Sequence, residues 1–145
     1  MNTDSNQLLA GMSMPLIDPE LLSEIVATAG DISLVVSADG HVISVLPNPH
    51  HASFGRLSHW VGRKASEIMT SESLVKFQRR LEELQAPGAR TVAVELNHVD
   101  EVISEFPIRY TMHCIGADKA ILMLGRDLRP IAEMQQQLVM AQIVL

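Results

Sequence analysis

The chain alternates between segments with a helical period and segments with a strand period, and it does so in a recognisable order. Residues 1–17 are polar, rich in Met and without a period, which predicts a flexible N-terminus. Asp18-Pro19-Glu20 then supplies a capping residue, a proline at the first helical position and an acid in the first turn, so a helix is expected to start there. Leu21, Leu22, Ile25, Val26 and Ala29 fall on one stripe of it, and Gly30 supplies the stop. Two strand-like runs follow, Ile32 to Ser37 and Val42 to Leu46, around the hairpin dipeptide Asp39-Gly40, and Pro47-Asn48-Pro49 ends the second. Residues 50–71 suit short helical turns and loops. Ser73 to Leu84 reads as a helix with Leu74, Phe77, Leu81 and Leu84 on one face, stopped by Pro87-Gly88.

Three further strands are predicted: Arg90–Asn97, Phe106–Ile115 and Lys119–Asp127. The first two alternate, with Val92, Val94 and Leu96, then Phe106, Ile108, Tyr110, Met112 and Cys114, pointing inward. Ala120 to Leu124 is apolar throughout and Ile32 to Val36 nearly so, which predicts central strands covered on both faces, the helix from Pro19 to Ala29 being the second cover. The last strand passes without a loop into a helix. Asp127 can cap its first turn and Pro130 is tolerated only there, while Leu128, Ile131, Gln135, Leu138, Gln142 and Leu145 repeat at spacings of three and four. The pattern is still running at Leu145, which predicts an assembly or output helix leading into further domains. The expected organisation is a flexible segment 1–17, an α+β domain 18–128 with a five-stranded antiparallel sheet, and a linker helix 129–145 of coiled-coil type.

Composition narrows the function. At 145 residues and 47% hydrophobic content the chain builds one core. A formal charge of −6, with basic residues scattered apart from Arg79-Arg80, argues against docking on phosphate backbones by this segment. One cysteine excludes an intramolecular disulfide framework and fits a reducing compartment, and neither a leader nor about 18 consecutive apolar residues is present, so a cytoplasmic chain without membrane contact is expected. His50, His51 and His59 invite a metal, but no carboxylate or cysteine stands at a helpful spacing, and histidines beside Pro49 read as an exposed loop. Cys114 reads as a small apolar core residue, with a redox switch as the sharper alternative. No phosphate loop, Gly-x-Ser-x-Gly or His-Glu-x-x-His occurs, and Glu82-Glu83 and Asp100-Glu101 read as solvated surface, so an enzyme is not expected.

The order of elements, with Trp60-Val-Gly-Arg-Lys-Ala-Ser-Glu-Ile68 before the long helix and Leu124-Gly-Arg-Asp-Leu128 at the exit, resembles a PAS domain over residues 31–128. A closer resemblance covers nearly the whole chain. Glu24-Ile-Val-Ala-Thr-Ala-Gly-Asp-Ile-Ser-Leu-Val-Val-Ser37, Asn48-Pro-His-His51, Phe54-Gly55 and the Gln-rich exit at Gln135-Gln-Gln137 resemble the amino-terminal domain and Q-linker of photosystem-gene repressors of the PpsR/CrtJ type. That resemblance implies a redox- and light-responsive, self-associating regulator. It also implies an antirepressor flavoprotein as partner, and DNA contact only through a helix-turn-helix further downstream.

The surfaces expected to carry self-association or partner binding are Leu21, Leu22, Ile25 and Val26 on the first helix and Leu128, Ile131, Gln135, Leu138, Gln142 and Leu145 on the last. No cofactor is expected. The alternative, a PAS domain that senses a ligand or haem in a protein such as a sensor kinase, lacks a histidine on the helix 73–84 and leaves His59 or His98 as axial ligand. The reactive cysteine of the flavin-photochemical PAS class is absent before Leu74.

Overall fold

The computed structural model describes residues 18–51, 57–88, 91–101, 105–116 and 118–144. Helix α1 (Pro19–Ala29) leads into strands β1 (Ile32–Val36) and β2 (Val42–Pro47). Two 3-10 turns (Ser58–Trp60 and Ala65–Glu67) precede helix α2 (Ser71–Gln85), and strands β3 (Thr91–His98), β4 (Phe106–Ile115) and β5 (Ala120–Asp127) run into helix α3 (Arg129–Val144). All pairings are antiparallel, in the order β2-β1-β5-β4-β3. This is the α+β, five-stranded antiparallel architecture expected. The expected segment 1–17, Phe54-Gly55 and Leu145 lie outside the described residues.

The inner face of the sheet is the core. Register places Leu34 beside Met123, Met112 beside Met123, and Val94 beside Tyr110, so the inward alternation of each strand meets its neighbour's. The 3-10 turns and α2 cover it with Trp60, Ile68, Phe77 and Leu84, all buried. Helix α2 starts two residues earlier than its apolar pattern because the Thr70 hydroxyl accepts the Ser73 backbone N–H at 3.2 Å. Its first turn is stitched to β3, where the Ser73 hydroxyl accepts the Asn97 N–H at 2.7 Å.

On the outer face the expected second cover, α1, is present but partial. Ser33 is fully buried there and its hydroxyl donates to the Val26 carbonyl at 3.4 Å, but Val35, Leu122 and Leu124 remain half-buried. Helix α1 buries none of its residues: Leu21, Leu22 and Ile25 are 50%, 47% and 46% exposed. Only its last turns reach the sheet. Nor does Asp18 cap it with its side chain; the Asp18 carbonyl accepts the Leu22 N–H instead. Apolar outward positions specify that something covers them, and within one chain that cover is incomplete.

A glycine pair joins α1 to the sheet. A Cβ on Gly30 would lie 2.7 Å from the Gly125 carbonyl oxygen, and one on Gly125 would lie 2.6 Å from Ile108 Cγ2 and 2.7 Å from Tyr110 Cε1. The missing side chains let the Asp31 N–H reach the Gly125 carbonyl at 2.8 Å. Gly125→Ala is expected to destabilise the domain by about 1–3 kcal/mol through overpacking, read as a lower urea midpoint at an unchanged slope.

Candidate functional site: the helix-bearing end of the sheet

Because β1 and β5 are antiparallel neighbours, the start of one lies beside the end of the other, with Ile32 opposite Gly125. The helix entering β1 and the helix leaving β5 therefore share one root. Asp31 Oδ2 accepts the Asp127 N–H at 2.8 Å, and Asn48 Nδ2 donates to the Gly30 carbonyl at 2.9 Å. Asp127 itself is buried. Its Oδ1 accepts the Arg129 backbone N–H and Nε, both at 3.0 Å, while Oδ2 accepts Arg129 Nη2 at 2.8 Å. The Arg129 guanidinium sits 5.4 Å from the centroid of the Phe106 ring, and His51 Nε2 lies 3.5 Å from Asp127 Oδ2.

So Asp127 does cap the exit helix, and the same carboxylate binds it to the loop after β2. A forked guanidinium held by a carboxylate and an aromatic face is a geometrically specific anchor. The pair adjacent to Pro49 divides: His50 is exposed, whereas His51 is drawn in toward Asp127, which the exposed-loop reading did not anticipate.

Beyond that root α3 leaves the domain. Every side chain described from Pro130 to Gln142 is exposed, with Ile131, Met134, Leu138 and Val139 between 54% and 64% exposed. Of the six expected positions, Leu128 is half-buried at the root, Ile131, Gln135, Leu138 and Gln142 are exposed on the helix, and Leu145 lies outside the described residues. Leu21, Leu22, Ile25 and the half-buried Val26 lie on α1. Both apolar helices thus emerge from one point.

The inner face is occupied rather than hollow around the residues considered for haem. His98 is completely buried, its Nδ1 donating to the Ile68 carbonyl at 2.7 Å. Its Nε2 therefore accepts the Tyr110 hydroxyl proton, at 2.6 Å. Trp60 packs on the imidazole with centroids 4.8 Å apart, and Phe106 lies 5.5 Å away. Burial lowers the His98 pKa to about 4, partly opposed by the Ile68 carbonyl, and burial pushes the Tyr110 hydroxyl above its ordinary range. An axial-ligand role would forfeit one of those buried bonds. His59 is also engaged, with Nε2 at 2.6 Å from Asp100 Oδ1, an oxygen that accepts Trp60 Nε1–H at 3.0 Å as well. Asp100 was expected on a solvated turn; its side chain is only 4% exposed, because it satisfies the indole buried beneath it. Cys114 is half-buried against the core at the end of β4, as its inward position predicted. Among the described residues no group of three metal-ligating side chains forms.

Since His98 is neutral in the fold, the unfolded chain binds more protons below about pH 6.5. The stability tied to His98 is expected to be complete above pH 6.5 and to be lost, on the order of 3 kcal/mol, as pH falls from 6.5 through about 4. Urea midpoints across that window should fall more steeply for the natural chain than for His98→Gln.

No family model matches the chain. Over all 145 residues it is 39% identical to Protein CrtJ of Rhodobacter capsulatus, covering 30% of that relative's length. Solved PAS domains share the fold at low identity. That of an HTR-like protein from Haloarcula marismortui aligns with a TM-score of 0.58 at 16% identity, covering 74% of this chain and 95% of that one. The PAS domain of the quorum-sensing receptor RpfR from Cronobacter turicensis, solved in complex with BDSF, aligns at 0.53 and 9% identity, covering 67% and 92%. The chain shares the PAS fold, is similar to CrtJ along its whole length and spans 30% of the length of that curated relative.

Proposed function

We propose that this chain is a self-association and regulatory module of a DNA-binding repressor of photosynthesis genes. The likeness to CrtJ over the full 145 residues supports the kind of protein. In this reading the redox and light response reaches the repressor in part through an antirepressor flavoprotein, and DNA is held by a helix-turn-helix elsewhere in the protein. The chain is a cytoplasmic regulator and not a catalyst; among the described residues no helix is long and apolar enough to cross a membrane.

One observation carries the role of the module: two helices with unburied apolar residues leave the sheet from the same root. Exposed Leu, Ile and Met on two neighbouring helices favour association, because burying them removes apolar area from water. Gln135 and Gln142 at core-type positions of α3 would weaken the pairing while fixing its register, as buried Asn does in coiled coils. A weak but registered seam suits an assembly that a partner can alter. The haem-sensing alternative has less support at His98, whose ring Trp60 and Phe106 enclose and whose nitrogens Tyr110 and the Ile68 carbonyl engage.

Sedimentation of the chain with and without residues 129–145 tests this. Removing the linker is expected to weaken self-association by about tenfold or more, the loss of one or two buried apolar anchors. Monomers in both cases at the highest reachable concentration would overturn the proposal.

A further inference from the structure

We propose that the groove between the β1–β2 hairpin turn and α2 binds a small zwitterion with an apolar side chain, of the class of the α-amino acids. The inference is independent of the self-association reading.

The groove has a volume of about 430 Å³, within the range of small-molecule sites. Its floor is a stripe of α2 made by Leu74, Phe77 and Leu81. Phe77 is buried, and the two leucines are half-buried against the core. Their spacings of three and four keep them on one side of the helix, so the floor is a continuous apolar strip. Among the described residues no member of β3, β4 or β5 lines this groove, which therefore lies apart from the ring-filled inner face.

Two turns build the opposite bank. The Ala65 N–H donates to the Gly40 carbonyl at 2.8 Å, and His41 faces Lys64 in an antiparallel bridge. Gly40 takes φ +87°, and a Cβ there would stand 3.8 Å from Phe77 Cε2, so the hairpin turn rests against the edge of the floor. Asp39 and Lys64 thereby reach one rim with opposite charges. They do not pair with each other. Asp39 Oδ1 accepts the Ser37 hydroxyl and lies 3.2 Å from His41 Nδ1, while among the described residues Lys64 makes no ion pair. The Ser37 hydroxyl, with His41 beside it, holds the Asp39 carboxyl below the ordinary carboxylate range, so the acid stays charged. Ser66 and Gln78 add a hydroxyl and an amide to the same groove.

A plain anion here would meet Asp39, and a plain cation would meet Lys64. One molecule carrying both charges answers both. The ammonium of an α-amino acid donates to Asp39, its carboxylate accepts from Lys64, and a leucine- or phenylalanine-like side chain covers the apolar strip and removes it from water.

Titration calorimetry of the chain with L-phenylalanine, phenylpropionate and phenethylamine tests each charge separately. Phenylalanine is expected to bind saturably, and each single-charge analogue about tenfold more weakly or worse. Lys64→Gln and Asp39→Asn should each lower the affinity for phenylalanine about tenfold, while Lys76→Gln, outside the groove on α2, should leave it unchanged. Circular dichroism identifies any variant that has failed to fold, and amide shifts at Gly40 and Ala65 on adding phenylalanine locate the contact. No saturable binding of phenylalanine or leucine at about 10 mM, an analogue that binds as well as phenylalanine, or full affinity in both groove variants would overturn the inference.

Discussion

Two backbones meeting without side chains between them are what the rest of this domain depends on. Gly30 and Gly125 approach so closely that the Asp31 amide bonds the Gly125 carbonyl, and the start of β1 is thereby pinned to the end of β5. An antiparallel pair fixed at that point puts the incoming and outgoing helices at a common root. Asp31, Asp127 and Arg129 then hold the root with buried or half-buried hydrogen bonds. A displacement of either helix is therefore felt by the same few residues.

The inner face meets a different constraint. Filling a sheet with Trp60, Phe106, Tyr110 and His98 buries four rings, three of which carry polar atoms that need partners. Tyr110 and the Ile68 carbonyl satisfy His98, and Asp100 satisfies Trp60 and His59. Among the described residues no buried side-chain nitrogen or oxygen is left unpaired. Such a core gains specificity from its polar network and has no unsatisfied group directed at an absent ligand.

The outer face and the two helices carry the opposite imbalance: apolar and charged groups with too little of the same chain over them. Leu122, Leu124 and Val35 are half-covered, Arg109 faces Arg126, and α1 and α3 hold their leucines in solvent.

How much of this was legible in the sequence follows from the range of each interaction. Local patterns determined the elements: Pro19 and Gly30 bounded α1, Asp39-Gly40 marked the hairpin, and the alternation from Phe106 to Cys114 specified which residues point inward. The period of the exit helix and the cap at Asp127 were equally local. What the sequence could not indicate was which partner an apolar position finds. The runs at Ile32–Val36 and Ala120–Leu124 announced two covered faces, yet the pattern is the same whether the cover comes from the same chain or another. Asp100 looked like a turn residue because Trp60, forty positions away, is what buries it. His98 became a neutral core residue, and His51 a neighbour of Asp127, only when sheet register brought distant segments together. The sequence by itself determined periodicity, caps and turns, which are set within a few residues along the backbone. The tertiary structure decided the shared root of the helices, the buried polar pairs and the uncovered outer face, because those depend on contacts whose closure the chain completes only on folding.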